Sequence, residues 1–233
     1  MNSPVKTQWI DIAPGFAGYL ALPPAGSGPG LVLFQEIFGV NTHIQAVAEQ
    51  YALDGFVVLA PDIFWRQAPR VELGYDGDDR QQAMALVKGY AGPDALADIA
   101  ASVAALRARP EVGAAKLGAF GYCLGGRLAY LAAATTGVDA AVAFYGGGIH
   151  GQLDRAAAVK CPIQFHYAGH DDNIPPAAVA SVRDAFVGKP AEVFVYPGAH
   201  HGFNCWARDS YDAAAAALAH GRALAFLAEK LFG

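Results

Sequence analysis

The stretch Lys116-Leu-Gly-Ala-Phe-Gly121-Tyr122-Cys123-Leu124-Gly125-Gly126-Arg127 decides the fold. It passes from a short apolar run through a glycine-rich turn into an Ala- and Leu-rich helical pattern. A side chain at the tip of such a strand–turn–helix unit stands above the sheet, and the tight turn needs small residues two positions before and after it. Gly121 and Gly125 supply them around Cys123. The stretch therefore predicts a nucleophile elbow with a cysteine at its tip.

Short apolar runs alternate along the chain with longer patterns that are typical of helices packed on a sheet. The predicted strands are residues 31–34, 56–60, 116–120, 140–144, 163–167 and 193–196, and the predicted helices are residues 44–53, 80–90, 95–107, 128–135 and 177–186. This alternation predicts a mostly parallel sheet with helices on both faces. Residues 7–12 and 16–22 predict an N-terminal β-hairpin, and Asp212 is predicted to begin the last helix.

Together with the elbow, this pattern indicates an α/β-hydrolase fold. We expect one domain over residues 1–233, because folds of this class often exceed the usual domain size without splitting. The long irregular region at residues 62–79 is more typical of a functional loop than of a domain boundary.

Composition and charge exclude several classes of partner. The formal net charge is −5, from 21 acidic and 16 basic residues, which argues against nucleic acid. No apolar stretch reaches the roughly 18 uninterrupted residues of a membrane span. The first six residues lack the charged and apolar regions of a secretory signal, so we expect a cytoplasmic protein. The three cysteines are widely spaced and odd in number, which argues against a disulfide framework.

Two polar side chains follow predicted strands downstream of Cys123. Asp171 lies in Ala168-Gly-His-Asp-Asp, and His201 lies in Pro197-Gly-Ala-His-His-Gly-Phe. The carboxyl ends of parallel strands meet at one edge of a sheet, where ligands bind. The chain order Cys, Asp, His is also the order of nucleophile, acid and base in α/β-hydrolases. We therefore expect Cys123, Asp171 and His201 to form a catalytic triad.

Each member of this triad has an alternative. A cysteine in a GxCxG pattern can be a small buried residue at a strand end. Asp172 competes with Asp171, but it more naturally begins the turn before the following proline. His200 competes with His201, but the Gly-Phe pair after His201 favours a loop that turns back toward the elbow.

Backbone amides and one carboxylate complete the predicted site. The amide of Leu124 and that of Ile37, in the loop after a central strand, are expected to form an oxyanion hole. Glu36 is either a solvated carboxylate or a group that tunes the protonation of the thiol. His166 lies within an apolar strand and is expected to be a core residue. We expect no metal, because the nearby side chains lack regular ligand spacing: His170, Asp171, His200 and His201.

The motifs resemble those of the dienelactone hydrolase family over nearly the whole chain. They are Gln35-Glu-Ile-Phe-Gly-Val-Asn41, Pro61-Asp62, residues 66–69, Gly121-Tyr-Cys-Leu-Gly-Gly126 and the Asp and His segments above. The resemblance implies that Cys123 opens a small lactone or ester without a cofactor, with His201 as base and Asp171 orienting the imidazole. It further implies that Glu36 takes part in activating the thiol when an anionic substrate enters, and that Arg80 and Tyr145 bind the substrate.

Substrate recognition departs from the family pattern. The family's dienelactone enzymes place two arginines on the substrate carboxylate; Arg80 matches the first, but Cys205 occupies the position of the second. A tyrosine expected four residues after Arg80 is Met84, and Arg208 is close in sequence without an assigned role. The sequence thus leaves open another small ester or thioester as substrate, and a hydrolase-like fold that only binds a small ligand.

Overall fold

A single mostly parallel sheet organises the chain. The computed structural model describes residues 3–90 and 92–233. The strands in them are β1 (Lys6–Ala13), β2 (Phe16–Leu22), β3 (Gly30–Phe34), β4 (Val57–Pro61), β5 (Leu117–Tyr122), β6 (Ala140–Phe144), β7 (Ile163–His170) and β8 (Ala191–His200). Their order in the sheet is β1-β2-β4-β3-β5-β6-β7-β8. Strands β3 to β8 pair in parallel, whereas the hairpin β1–β2 joins β4 in antiparallel pairing. This confirms the predicted fold class and hairpin.

Helices cover both faces of the sheet. They are α1 (Thr42–Leu53), α2 (Gly77–Gly89), α3 (Gly92–Arg107), α4 (Leu124–Thr135), α5 (Pro176–Ala185) and α6 (Ala213–Phe232), with a 3-10 helix at Ile149–Ala158. Gly118 pairs with Leu31 in the parallel register, so a side chain at either position would lie on the same face of the sheet. Gly30 precedes Leu31 in β3 and therefore belongs to the opposite face. A Cβ atom at Gly30 would meet Leu106 of α3, and one at Gly118 would meet Leu231 of α6. Helices α3 and α6 therefore lie on opposite sides.

Several predicted boundaries differ from the observed ones. Helix α2 begins three residues earlier than predicted, and its first turn holds Asp78 and Asp79, which the positive end of a helix dipole favours. Helix α4 begins directly after Cys123, and β8 extends to His200. Asp212 caps α6 as predicted, because its carboxylate accepts the amides of Ala214 and Ala215. The 3-10 helix was not predicted; a non-helical backbone at Gln152 (φ −134°, ψ 27°) divides it into two short pieces.

The irregular region after β4 packs against the loop that follows β3. The side-chain amide of Asn41 donates to the carbonyl of Leu73 and to the hydroxyl of Tyr75. The ring of Tyr75 contacts that of Phe38 edge-on, with centroids 4.6 Å apart. These contacts hold two loops together at the carboxyl edge of the sheet, where the predicted site lies. No described helix is long and apolar enough to cross a membrane.

Candidate active site

Cys123 stands at the tip of a strained turn between β5 and α4. Its backbone has φ 55° and ψ −115°, a conformation that non-glycine residues rarely adopt. The amide of Cys123 donates to the carbonyl of Phe144 at 3.0 Å, which fixes the turn against β6. A Cβ atom at Gly121 would collide with the backbone of Gly125, and one at Gly125 with the carbonyl of Phe34. The glycines are therefore needed because helix, turn and neighbouring strand approach each other closely.

His201 and Asp171 meet at the same edge of the sheet. Each follows the last residue of its strand, β8 and β7, and the two strands are neighbours. His201 Nδ1 lies 2.7 Å from Asp171 Oδ2, and the other carboxylate oxygen of Asp171 accepts the amide of Asn173 at 2.9 Å. Asp171 is buried and His201 is largely so, with side chains 1% and 13% exposed. The carboxylate thus holds the imidazole ring by its Nδ1 atom and leaves Nε2 free to interact with Cys123.

The electrostatics of His201 favour its charged form. Burial alone would lower the pKa of His201, but hydrogen bonds to Asp171 and Cys123 outweigh that effect and raise it to about 10. An imidazolium beside a cysteine sulfur is the arrangement in which cysteine reacts as a thiolate. The start of helix α4 behind Cys123 adds a partial positive charge on the same side.

Two backbone amides near the elbow have no hydrogen-bond acceptor among the residues that the structure describes. Leu124 is the first residue of α4, so its amide has no acceptor within the helix. Ile37 lies in the turn after β3, and no described hydrogen bond uses its amide. The elbow and this turn are adjacent, because Gly125 packs against the carbonyls of Phe34 and Gln35. The arrangement suits a carbonyl oxygen of a substrate bound over Cys123.

Glu36 is buried and paired with an arginine to which the sequence alone assigns no role. Its Oε1 lies 3.0 Å from Nη1 of Arg208, with side chains 2% and 15% exposed. Its Oε2 is buried and has no hydrogen-bond partner among the described residues. Burial raises the pKa of the Glu36 carboxyl, while the charge of Arg208 works against that increase. No described hydrogen bond joins Glu36 to Cys123, so the structure shows the carboxylate engaged with Arg208 instead.

Arg80 and Arg208 line one cavity of about 220 Å³, together with Tyr75, the acidic residues Asp76 and Asp209, and loop residues 207 and 210. Arg80 is exposed on the first half of α2. The guanidinium of Arg208 lies 5.7 Å from the ring centre of Tyr75. Two arginines therefore line the same cavity, although the sequence indicates substrate binding only for Arg80. A signal for Arg208 was its basic charge seven residues after His201, but sequence spacing alone could not show which way the loop turns.

Tyr145 lies against the catalytic histidine candidate. Its ring centre is 5.1 Å from that of His201, its backbone has φ 35°, and its hydroxyl is buried without a described hydrogen-bond partner. Burial raises the pKa of the Tyr145 hydroxyl well above its ordinary value, so it is a neutral donor. Cys205, at the expected position of a second arginine, is fully buried, and burial raises its thiol pKa to about 12.

The residues that compete with Asp171 and His201 in the sequence have different surroundings. Asp172 and His200 are exposed, and the ring of His200 stacks on that of His170 at 5.5 Å. His166 is fully buried, and its two ring nitrogens contact the side chains of Tyr196 and Gln164. Among residues 3–90 and 92–233, no group of three or more His, Cys, Asp or Glu side chains is placed to hold a metal ion.

The doubly covered parallel sheet and the strained Gly-Tyr-Cys-Leu-Gly turn define an α/β-hydrolase. The model of the dienelactone hydrolase family matches residues 16–231, and the chain belongs to that family, whose members are carboxylic ester hydrolases. The carboxymethylenebutenolidase of Pseudomonas putida is 36% identical over 215 residues, which cover 91% of each chain. The family resemblance inferred from the motifs is thereby confirmed.

Solved structures agree with this assignment. A candidate dienelactone hydrolase from Klebsiella pneumoniae superposes with a TM-score of 0.83 at 30% identity, covering 97% of this chain and 99% of the other. The dienelactone hydrolase of Anabaena variabilis superposes with a TM-score of 0.71 at 17% identity, covering 98% and 99%. The second likeness supports the fold alone.

Proposed function

We propose that the chain opens a small lactone or ester through a covalent thioester on Cys123. The observation that carries the proposal is the conjunction of the strained Cys123 turn with His201, whose Nδ1 lies 2.7 Å from Asp171. A nucleophile, a base and a group that orients the base are the components of nucleophilic acyl transfer.

The reaction has two steps. The Cys123 thiolate attacks the substrate carbonyl, and the amides of Ile37 and Leu124 bind the negative oxygen that forms. The carbon–oxygen bond of the ester then breaks, and the imidazolium of His201 gives its proton to the leaving alkoxide. In a lactone, this alcohol stays attached to the acyl chain. Water next attacks the thioester with His201 as base, which releases the acid and returns the proton to the triad.

We further propose that the preferred substrate carries a carboxylate. Arg80 and Arg208 line the same cavity, and guanidinium groups bind carboxylates with charged hydrogen bonds. A substrate carboxylate at Arg208 competes with Glu36 for that guanidinium, since Glu36 is its buried partner. The released Glu36 carboxylate then accepts the proton of the Cys123 thiol before the attack, as the family resemblance implies, so that the thiolate forms once the substrate is bound.

Hydrolysis assays test the proposal with a matched pair of cysteine variants. Turnover of a carboxylate-bearing lactone and of a neutral aryl ester should fall by several orders of magnitude in Cys123→Ala. Cys161→Ala, which removes another partly buried cysteine, should retain wild-type turnover.

Near wild-type activity in Cys123→Ala would refute the nucleophile assignment. Absence of turnover with both substrates in the wild type would favour a protein that only binds a small ligand. Preference for the neutral ester would favour a different small ester or thioester as substrate.

A cytoplasmic location and a single-domain organisation stay predictions of the sequence.

A further inference from the structure

A cavity of about 530 Å³ lies outside the candidate active site. Its walls come from the start of α3, from one face of α4 and from the 3-10 helix Ile149–Ala158. Its volume falls within the roughly 300–1,000 Å³ that is usual for small-molecule sites. Neither the triad nor Glu36, Arg80 or Arg208 lines it. It is therefore a separate concave site, one helical turn along α4 from the nucleophile elbow.

Two arginines give the cavity its charge. Arg127 of α4 and Arg155 of the 3-10 helix both line it, and none of its described lining residues carries a carboxylate. Both side chains are half-buried, and neither makes an ion pair with any described residue. Half-buried guanidinium groups without a carboxylate partner attract anions. The first turn of the 16-residue helix α3 borders the same space, but Asp94 in that turn offsets the partial positive charge of the helix start, so the two arginines alone make the cavity attractive to anions.

The two elements that carry these arginines are tied together beside the cavity. The hydroxyl of Tyr130, on α4, donates to the carbonyl of Gln152 at 2.8 Å and so ties the 3-10 helix to α4. Gly148 has φ 83°, and a Cβ atom there would lie 3.0 Å from Nη1 of Arg127, so the glycine leaves the guanidinium its place. The remaining lining is largely apolar and includes Leu96, Leu128 and Leu131.

We propose that this cavity is a second binding site, which takes a small organic anion with an apolar body. The carboxylate or phosphate group of the ligand lies between Arg127 and Arg155, and its hydrocarbon part packs on the leucines of α3 and α4. This site is independent of the reaction at Cys123, because it shares no lining residue with the triad or with the Arg80–Arg208 cavity.

Calorimetric titration of the Cys123→Ala protein tests this proposal without turnover. The probes are phenylacetate and phenyl phosphate, with benzyl alcohol as the neutral counterpart. Saturable binding of at least one anion is expected, and the tighter of the two identifies the head group. Arg127→Gln combined with Arg155→Gln should weaken that binding by about tenfold or more, because charged hydrogen bonds are lost. Leu96→Trp, which fills the cavity without changing charge, should weaken it as well.

The controls separate this site from the others. Arg183→Gln, an exposed arginine on α5 that lines a different pocket, and Arg80→Gln should each leave the affinity within about twofold. Binding that survives both the double arginine variant and Leu96→Trp, but is lost in Arg80→Gln, would place the probe in the candidate active site and overturn the proposal. Equal affinity for benzyl alcohol, or no saturation at about millimolar concentration, would overturn it too.

Discussion

Arg208→Met should destabilise the protein in a way that depends on pH, because it leaves the Glu36 carboxylate buried and unpaired. In the wild type, Arg208 Nη1 lies 3.0 Å from Glu36 Oε1, and the Glu36 side chain is only 2% exposed. Removing one partner of a buried ion pair costs about 3–5 kcal/mol when the other charge stays in place. Methionine retains the aliphatic stem of Arg208 but loses the guanidinium, which also lies 5.7 Å from the ring centres of Phe38 and Tyr75, so most of the change is electrostatic.

The direction of the pH dependence follows from the Glu36 pKa. Burial raises that pKa, and the charge of Arg208 opposes the increase most strongly, so its removal raises the pKa further. A folded state with a raised carboxyl pKa binds the proton more tightly than the unfolded chain does. The variant therefore keeps its stability at low pH, below the ordinary carboxyl pKa, and loses it as pH rises through the folded pKa. Between the carboxyl pKa of the unfolded chain and that of the folded variant, the free energy of unfolding falls by as much as about 1.4 kcal/mol per pH unit.

Urea unfolding measures this effect between about pH 5 and pH 8. The difference in unfolding free energy between Arg208→Met and wild type should grow with pH toward about 3 kcal/mol. In a Glu36→Gln background, the same arginine change should cost much less, since no buried charge is left. Arg109→Met is the matched control, because Arg109 pairs with Glu111 near the surface at 20–26% side-chain exposure. It should cost about 0–1 kcal/mol and show no trend in this range. A cost for Arg208→Met that is small, or that does not change with pH, would refute the buried pair.

The remaining predictions concern the reaction. Asp171→Asn should lower kcat by about 10³–10⁴, because His201 loses the carboxylate that orients it, whereas Asp172→Asn should stay near wild type in the same steady-state assay. A large loss only at Asp172 would reverse the assignment. His201→Ala should likewise abolish turnover while His200→Ala is tolerated; the opposite result would place the base at His200. Arg80→Gln should raise KM for a carboxylate-bearing lactone by about tenfold and leave KM for a neutral ester unchanged. Equal effects on both substrates would remove Arg80 from anion binding.

The sheet and the elbow could be predicted from the sequence because both depend on local patterns. Apolar runs of strand length reflect a sheet that is buried on both faces. The Gly121–Gly125 spacing reflects close backbone approach, which the structure shows at both glycines. Placement of Asp171 and His201 followed from one topological rule, since residues after parallel strands share an edge. Their roles remain predictions, although their side chains contact each other at 2.7 Å.

Long-range contacts could not be predicted. Arg208 and Glu36 are 172 positions apart in the chain, and nothing in either local sequence indicates that they pair. Likewise, the cavity lined by Arg127 and Arg155 forms between α3, α4 and the unpredicted 3-10 helix, which the Tyr130 hydroxyl ties to α4. Such contacts depend on how loops turn at the sheet edge, which hydrophobic periodicity does not encode.

The most direct test of the central proposal is to trap the acyl intermediate. Protein quenched in acid during turnover of an aryl ester should show one added acyl mass by intact mass spectrometry, and peptide mapping should place it on Cys123. The adduct should persist in Cys161→Ala and vanish in Cys123→Ala. In His201→Ala the adduct should form only slowly, because the thiolate has lost its counterion and the leaving group has lost its proton donor. An adduct on another residue, or rapid turnover by Cys123→Ala, would contradict nucleophilic catalysis by Cys123.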